Sequence, residues 1–322
     1  MKGVIRIHFK LKKHGFCNPH FRLDFHPVLY EKIDINPIMP TSSITYRILE
    51  WTHHIVCTLH PMQRFRVSVV LGKILYFLFP IRKKVAMQNL KKAFPSKSQY
   101  WVNKTVFQCY YFYTWNLFQF ISLPQSYSET KWHVAGQDVV DDILSHNRGA
   151  ILVTGHFGSW ELLGSWFGAH GYLVASIVQK QRNRGAHHFF NRQRGAFGMI
   201  QIDRKATSRE MTDVLKDNYI LSLLSDQDAR KQGVFVDFFR QPSSTPKGVA
   251  IFHYRSKAPI IFATCYQLSY NEYAVEFKEV KPPERRSVQA LTQSFTTMLE
   301  EKIKEYPGQY FWFHKRWKTT PE

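Results

Sequence analysis

The turn around His156 combines the residue types that general-base chemistry needs. It follows an apolar run typical of a buried strand, Ala150–Val153, and precedes apolar residues at helical spacing. The sequence therefore predicts a strand, a tight turn and a helix, with His156 on the turn and Glu161 in the first turn of the helix. Because α/β proteins place their chemistry where strands end, both residues are candidate catalytic groups.

Glu161 could orient the His156 imidazole only if the chain folds back between the two residues. On one continuous helix, their spacing would place them about 140° apart around the axis, too far to pair. Gly155 and Gly158 make a tight turn sterically possible. The pair would then be a general base with an orienting acid, suited to deprotonating a hydroxyl or an amine. A structural alternative is a histidine near a helix start, followed by a glutamate that the helix dipole favours.

Carboxylates stand at a second predicted strand end. The apolar run Tyr219–Leu224 leads into the acidic turn that contains Asp226 and Asp228. This is the same location in a sheet as that of His156. Asp226 could pair with His156 or with a cation, and an ordinary polar turn is the alternative.

A basic cluster follows the apolar run Tyr172–Val178. Its polar members are Arg182, Asn183, Arg184, Arg192 and Arg194. The planar guanidinium fork suits a phosphate or a phosphopantetheine group, so an arginine of this cluster could hold a substrate. A solvated basic loop is the alternative.

Covalent and metal-assisted mechanisms have no motif in the sequence. No serine stands in a GxSxG turn, and no cysteine has the His and Asn context of a nucleophile. Zinc-binding spacings are also missing, so we expect neither a metal nor a cofactor. The four cysteines are scattered, which predicts free thiols in a reducing compartment. Direct attack by an activated acceptor is the mechanism that these observations favour.

The charge of the chain predicts acidic partners. Its 44 Lys and Arg against 24 Asp and Glu give a formal charge of +20, and 16% of the residues are aromatic. Anionic lipid, an acidic carrier protein and nucleic acid would all suit this charge, and the aromatic residues favour a membrane surface over nucleic acid. The apolar stretches 67–79 and 105–128 are interrupted by polar residues, so they predict interfacial or core helices and not membrane spans.

Proline positions and hydrophobic spacing divide the chain into three parts. Residues 1–42 predict a basic, poorly structured extension, and residues 43–124 predict a layer of helices that faces a membrane. Residues 125–322 alternate strand and helix patterns, which predicts an α/β core with a mainly parallel sheet flanked by helices. Residues 43–322 would form one domain. The aromatic and basic segment Pro307–Lys318 would by itself suggest a membrane or nucleic-acid surface.

Four sequence blocks resemble the lipid A biosynthesis lauroyl/myristoyl acyltransferases, a branch of the glycerol-3-phosphate acyltransferase-like superfamily. The His156 block, GHFGSWE, resembles the family's HxxxxE motif. The other three blocks are Ala86–Leu90 with Phe94-Pro95, Asp226–Phe239, and Pro307–Lys318. The third block departs from the family pattern, with Ala229-Arg230 in place of Tyr-Gly and Asp237 in place of proline.

The resemblance implies transfer of a fatty acyl group from acyl carrier protein to a hydroxyl of a lipid A precursor. The site would lie at the cytoplasmic face of a bacterial inner membrane, with monotopic attachment or a single N-terminal membrane segment. His156 would be the general base, oriented by Glu161 or Asp226, and Arg194 falls where the family has a functional arginine. We also expect Asp228, Arg182 and Asn183 to contact the substrates. Carrier protein, anionic lipid and the lipid A precursor are the expected partners, and nucleic acid is not.

Two other functions remain open from the sequence. One is an acyltransferase of the same superfamily that acts on another glycolipid, a phospholipid or an acylated amino acid. The other, of a different class, is a non-catalytic basic protein that binds membrane or nucleic acid. Acyl chain length, the acceptor hydroxyl, and the choice between carrier protein and coenzyme A as donor are also left open.

Overall fold

The computed structural model describes residues 43–321. The predicted extension, residues 1–42, and the cysteine at position 17 lie outside the described residues. The proposed domain boundaries therefore stay a prediction.

Four helices open the described chain, as predicted. They are α1 (Ile44–Thr58), α2 (Pro61–Phe77), α3 (Lys83–Ala93) and α4 (Gln99–Ile121). Helix α2 begins at Pro61, which suits the first position of a helix because it has no N–H that needs a partner there. His60 and Gln63 close a reciprocal cap at this end, with the Met62 N–H donating to His60 Nδ1 at 3.3 Å. Helix α4 is a core helix, since nearly half of its residues are buried.

Strands and helices then alternate. The strands are β1 (Lys131–Ala135), β2 (Ala150–Thr154), β3 (Val174–Val178), β4 (Ile200–Asp203), β5 (Ile220–Leu224), β6 (Val234–Phe238), β7 (Gln241–Thr245), β8 (Ile260–Ser269) and β9 (Glu272–Glu279). The helices are α5 (Gln125–Ser128), α6 (Gln137–Ser145), α7 (Trp160–Ala169), α8 (Arg184–Gly195), α9 (Ser208–Asp213), α10 (Gly248–Ser256) and α11 (Val288–Glu305).

The predicted α/β class with a mainly parallel sheet flanked by helices is confirmed. Seven strands form the central sheet in the order β1-β9-β8-β2-β5-β3-β4. Strands β8, β2, β5, β3 and β4 are mutually parallel, and β9 runs antiparallel to β8 with β1 parallel to β9. The reversal at β9 follows from the tight turn between β8 and β9, which is too short for a crossover helix.

Strand β2 shows why the sheet needs helices on both faces. All five of its residues are buried. Ala150 and Leu152 lie in the core with α6 and α7, whereas Ile151 and Val153 lie in the core with α10 and α11. Side chains alternate across a strand, so a fully apolar strand must be covered twice.

Part of the third family block, Val234–Phe238, forms a strand outside the central sheet. It is β6, which pairs antiparallel with β7 in a separate hairpin. Helix α11 covers the other edge of β6, where the Asp237 N–H donates to Gln293 Oε1 at 2.7 Å and Gln293 Nε2 donates to the Asp237 carbonyl at 2.9 Å. Asp237 therefore uses an N–H that proline, the residue of the family pattern, would lack.

The surface role suggested for Pro307–Lys318 is wrong for four of its large side chains. Tyr310, Trp312, Phe313 and Arg316 are all buried. The segment runs against the turn that carries His156, where Phe157 and Tyr310 form an antiparallel bridge. The composition suggested a membrane or nucleic-acid surface because aromatic and basic residues are common on such surfaces. In this protein the four side chains are instead part of the core.

Candidate active site

The sheet register brings His156 and Asp226 together. Strands β2 and β5 are paired, with Thr154 opposite Leu224 at their carboxyl ends. His156 and Asp226 each lie two residues beyond these ends, and His156 Nδ1 lies 2.7 Å from Asp226 Oδ1. The strand-end prediction thus places both groups at one edge of the sheet, and the structure pairs them.

The turn that carries His156 requires glycine. Gly158 has φ +60°, and a Cβ there would lie 1.9 Å from the Cys265 carbonyl oxygen. A Cβ on Gly155 would lie 2.7 Å from the Leu299 side chain. Any larger residue at Gly158 must displace the backbone, because the neighbouring atom belongs to the main chain of β8.

The segment Pro307–Lys318 forms hydrogen bonds to the same turn. The Phe311 N–H donates to the His156 carbonyl at 2.9 Å, and the Gly158 N–H donates to the Gln309 carbonyl at 2.8 Å. The Tyr113 hydroxyl of α4 lies 3.0 Å from the His156 carbonyl and 2.8 Å from that of Gln309. Burial raises the pKa of Tyr113 well above its ordinary value, so this hydroxyl remains a donor. The position of the imidazole is thus fixed through its backbone.

Asp226 is a buried, ionised carboxylate. Burial by itself would raise its pKa, but the charge and hydrogen bonding of His156, together with the Arg316 charge, outweigh burial and lower the pKa. Arg316 is also buried and donates to the Ser244 carbonyl at 2.8 Å. Burial and the Asp226 charge raise the pKa of Tyr310 well above its ordinary value, so it stays neutral. Asp226 can therefore accept a hydrogen bond from the Nδ1–H of His156 and, while it stays ionised, stabilise an imidazolium.

The second imidazole nitrogen lies on the open side of the site. With Nδ1–H directed at Asp226, Nε2 carries the lone pair that a base needs. The His156 side chain is 24% exposed, whereas that of Asp226 is 2% exposed. The Gln227 amide is the group next to Nε2, at 3.2 Å. This arrangement suits proton abstraction from a group that approaches from solvent or from a lipid surface.

Glu161 does not orient His156. Its carboxylate forms a two-point ion pair with Arg194 of α8, at 3.0 Å to Nε and 2.6 Å to the terminal nitrogen. Burial would lower the pKa of Arg194, but the Glu161 charge and hydrogen bonds outweigh burial and raise the pKa. The pair links the start of α7 to the end of α8. Of the two carboxylates considered, Asp226 is the one that contacts the imidazole.

The chain matches a known protein family over most of its length. The model of the bacterial lipid A biosynthesis acyltransferase family matches residues 40–319. The chain belongs to this family. The family predicted from the four sequence blocks is therefore confirmed.

Individual relatives are distant and of two kinds. The lipid A biosynthesis palmitoleoyltransferase of Escherichia coli K12 is 26% identical over 259 residues, 74% of this chain and 80% of the relative. The lauroyltransferase of the same organism is 24% identical over 80% of this chain and 86% of the relative. A phosphatidylinositol mannoside acyltransferase of Mycobacterium tuberculosis is 21% identical over 57% of this chain. The match spans 59% of that relative's own length.

The four family blocks meet in space around His156. Asn89 of the first block donates from Nδ2 to the carbonyls of Trp312 and His314 in the fourth, at 2.7 and 2.6 Å. The fourth block, Pro307–Lys318, also holds the His156 block through the bond from the Phe311 N–H to the His156 carbonyl. The third block, Asp226–Phe239, supplies Asp226. In this member of the acyltransferase family, Asn89 thus fixes the segment that holds the His156 turn.

Asp228 is engaged within the protein. Its Oδ1 accepts from the Arg230 N–H and the Thr319 hydroxyl, both at 2.9 Å, and its Oδ2 accepts from the Thr319 N–H at 3.0 Å. Its own N–H donates to His314 Nε2 at 3.2 Å. Asp228 therefore ties the chain end to the site, and its predicted contact with substrate stays a proposal.

The predicted substrate-binding group is divided between the two ends of α8. Arg194 lies at the carboxyl end, with Glu161. Asn183 caps the amino end, accepting from the Ala186 N–H at 2.9 Å, and Arg182 is exposed just before it. At about 1.5 Å per residue, the ends of α8 lie about 16 Å apart. The sequence cluster is therefore not one binding site around His156.

Several residues of the site carried no separate signal in the sequence. They are Tyr113, Gln227, Tyr310, Phe311 and Arg316. Three of them lie inside the fourth family block, and Gln227 lies between the two aspartates, so the blocks marked their positions without assigning them a role. Trp160 and Phe311 place the centroids of their aromatic rings 5.1 and 6.2 Å from that of the His156 imidazole, which gives the imidazole an apolar lining.

Proposed function

We propose that this protein transfers a fatty acyl group from acyl carrier protein to a hydroxyl of a lipid A precursor, with His156 as general base. The observation that carries this proposal is the His156–Asp226 pair, in a chain of the lipid A biosynthesis acyltransferase family. A buried carboxylate fixes one nitrogen of the imidazole and leaves the other on the open side. This geometry supports deprotonation of an acceptor hydroxyl.

The transfer proceeds by direct attack. His156 Nε2 takes the proton of the acceptor hydroxyl as its oxygen bonds to the thioester carbonyl carbon, and Asp226 stabilises the imidazolium. The C–S bond of the tetrahedral intermediate then breaks, and Nε2 returns the proton to the departing thiolate. No acyl group becomes attached to the enzyme, and no metal or cofactor takes part.

The oxyanion would be stabilised at the start of α7. Ser159 precedes this helix without forming a side-chain cap, so the first N–H groups of α7 keep their hydrogen-bonding capacity. Arg194 is less suited to this role, because Glu161 already binds its guanidinium at two points. We assign Glu161 and Arg194 the task of fixing α7 against α8.

Exposed apolar side chains on two helices support binding to a membrane. On α1 they recur at helical spacing: Ile44, Ile48, Trp51 and Ile55. On α2 they are Val67, Val70, Leu71, Ile74 and Phe77. Exposed cations lie nearby in sequence, at Arg66, Lys73, Arg82 and Lys84. An apolar stripe with flanking cations suits the anionic surface of an inner membrane, where the lipid acceptor resides.

Monotopic attachment at the cytoplasmic face agrees with these helices. Among residues 43–321, no helix has the length and apolarity that crossing a membrane requires. Residues 1–42 lie outside that search. The excess of basic residues also suits an acidic carrier protein as donor.

A second acceptor class is favoured by one finding. The mycobacterial relatives are named phosphatidylinositol mannoside acyltransferases, so the same family includes enzymes for a glycolipid of another kind. The same base would serve either acceptor, since each offers a hydroxyl. Acceptor choice would then depend on the surface around His156.

One assay separates these possibilities. Purified protein is given acyl carrier proteins of graded acyl chain length with a tetra-acyl lipid A precursor, and in parallel acyl coenzyme A and a phosphatidylinositol mannoside. Transfer from carrier protein to the lipid A precursor supports the proposal. Transfer to the mannoside alone supports the second acceptor, and no transfer to any lipid contradicts both.

A further inference from the structure

The Gln227 side chain occupies the position at His156 that the acceptor hydroxyl needs. Its amide nitrogen lies 3.2 Å from His156 Nε2. Because Asp226 accepts a hydrogen bond from Nδ1–H at 2.7 Å, Nε2 is an acceptor, and the Gln227 amide donates to it. An imidazole nitrogen has one lone pair, so it cannot accept from Gln227 and from a substrate hydroxyl at once.

The Gln227 amide is held loosely compared with the other glutamines near the site. Within residues 43–321, the bond to His156 is its one hydrogen bond, and it is long. Gln309, by contrast, donates to the Gln267 carbonyl at 2.8 Å and accepts from the Gln267 N–H at 2.9 Å. Gln227 is also half-buried. Its amide can therefore leave Nε2 without breaking another hydrogen bond among these residues.

We infer that Gln227 is a displaceable cap on the catalytic base. In the free protein it holds His156 in the tautomer with the Nε2 lone pair and covers that lone pair. When the acceptor binds, its hydroxyl replaces the amide at Nε2. Gln227 is thus a positioning residue, and this inference rests on the proposed function, which it deepens.

The cap has a kinetic consequence that a structural glutamine would not have. The acceptor must displace the amide, so the amide weakens acceptor binding without contacting the reacting atoms. Gln227→Leu keeps the size of the side chain and removes the donor, leaving Nε2 without a partner. The acceptor KM should then fall about 3- to 10-fold, as expected for loss of one competing hydrogen bond, with kcat within about twofold. In Gln227→Ala, water replaces the amide, so the acceptor KM should stay near the wild-type value.

The experiment has a spectroscopic arm and a kinetic arm on the full chain. With ¹⁵N-labelled histidine, His156→Asn identifies the His156 resonances. Gln227→Leu should shift the Nε2 resonance toward that of an acceptor without a hydrogen bond and leave Nδ1 protonated. The kinetic arm measures acceptor KM and kcat at saturating donor. Gln99→Leu, at the exposed start of α4 and outside the four family blocks, is the matched control and should change neither readout.

Each result decides between the cap and its alternatives. An unchanged Nε2 resonance in a folded Gln227→Leu variant would overturn the inference, as would a tenfold fall in kcat at constant KM, which would make Gln227 a transition-state contact. If no acceptor supports transfer even in the wild type, the proposed function fails. The Nε2 resonance still reports whether the amide covers the base.

Discussion

His156 receives its orientation from a carboxylate 70 positions later in the chain. The two residues meet because each follows a strand of one parallel pair. Asp226 is buried where water cannot compete for the imidazole proton, and Tyr310 and Arg316 complete its surroundings. Glu161 is close in sequence, but it belongs to a different ion pair. Separate substitutions should therefore affect catalysis and stability differently.

Asp226→Asn should abolish most transfer while keeping the fold. An asparagine amide can donate to Nδ1, which places the imidazole proton on Nε2 and removes the base. We expect kcat/KM for acyl transfer to fall by about 10²- to 10⁴-fold, the usual contribution of a general base. The thermal midpoint at neutral pH, measured on the same sample, should fall because the ionised carboxylate stabilises the fold, but the variant should still unfold in one cooperative transition.

Glu161→Gln should act mainly on stability. It removes the charge that compensates a largely buried Arg194, so the free energy of unfolding should fall by about 1–3 kcal/mol. The His156–Asp226 bond remains, so transfer should fall less than tenfold. Thermal unfolding and initial rates measure the two effects. A loss of activity as large as that of Asp226→Asn, with unchanged stability, would instead make Glu161 a catalytic group.

The lowered pKa of Asp226 predicts an acid limit to stability. A carboxyl whose pKa is lower in the folded state stabilises the fold above its unfolded value, about 3.9 for aspartate, and loses that contribution as the pH falls through the folded value. Unfolding of the wild type should therefore become easier below about pH 4. Asp226→Asn should reduce this dependence in a pH series of thermal midpoints. If the thermal midpoint varied with pH equally in the two proteins, the lowered pKa of Asp226 would be contradicted.

At the scale of the elements, the turn between β2 and α7 depends on the segment that follows α11. That segment supplies the Gln309 carbonyl and the Phe311 N–H to the turn, and Asn89 of α3 holds it in place. Three distant parts of the chain thus fix one histidine. A substitution that moves the turn should affect activity even when it touches no substrate.

Gly158→Ala tests this turn against a matched control. Gly158 has φ +60° and Gly171 has φ +80°, so alanine at either position adopts a left-handed conformation that costs about 1–2 kcal/mol. A Cβ at Gly171 has nothing within 4 Å, whereas at Gly158 it meets the Cys265 carbonyl. Gly171→Ala should lose only about 1–2 kcal/mol of unfolding free energy, the cost of the left-handed conformation, and should keep its activity. Gly158→Ala should lose more stability and most transfer, and equal behaviour of the two variants would contradict the account.

The elements that the sequence predicted are those with an apolar signal of their own. Strands β2 and β5 are apolar runs, and their ends marked His156 and Asp226. Strand β1 is mostly exposed, and β7 contains Pro242 among small polar residues, so neither has such a run. Only pairing with β9 and β6 makes them strands. The Glu161–Arg194 pair was unpredictable for a similar reason, because it depends on how α7 meets α8.

At the scale of the whole molecule, the apolar faces of α1 and α2 would bring the site to a lipid surface. Both helices contact α4, which also carries the Tyr113 that holds the His156 turn. The helices proposed for attachment and the turn proposed for catalysis would thus both pack against α4. The excess positive charge would add attraction for anionic lipid over a range of about 10 Å at moderate salt.

Negative charge introduced on these apolar faces should release the protein from membranes. Trp51 is 67% exposed and Phe77 is 68% exposed. The double variant Trp51→Glu, Phe77→Glu should lower partitioning onto anionic vesicles at least about tenfold, because each change removes apolar burial and adds repulsion. Leu173→Glu, at an exposed leucine before β3, is the control and should bind as the wild type does. Vesicle sedimentation measures both, and equal loss in the control would contradict a specific face.

The central claim is that His156 is the base of a lipid acyl transfer, and His156→Asn tests it most directly. Asparagine retains a polar side chain at the turn but cannot take the hydroxyl proton. With acyl carrier protein as donor and a lipid A precursor as acceptor, we expect transfer to fall by about 10²- to 10⁴-fold at an unchanged thermal midpoint. Transfer within tenfold of the wild type by a folded His156→Asn protein would contradict the account.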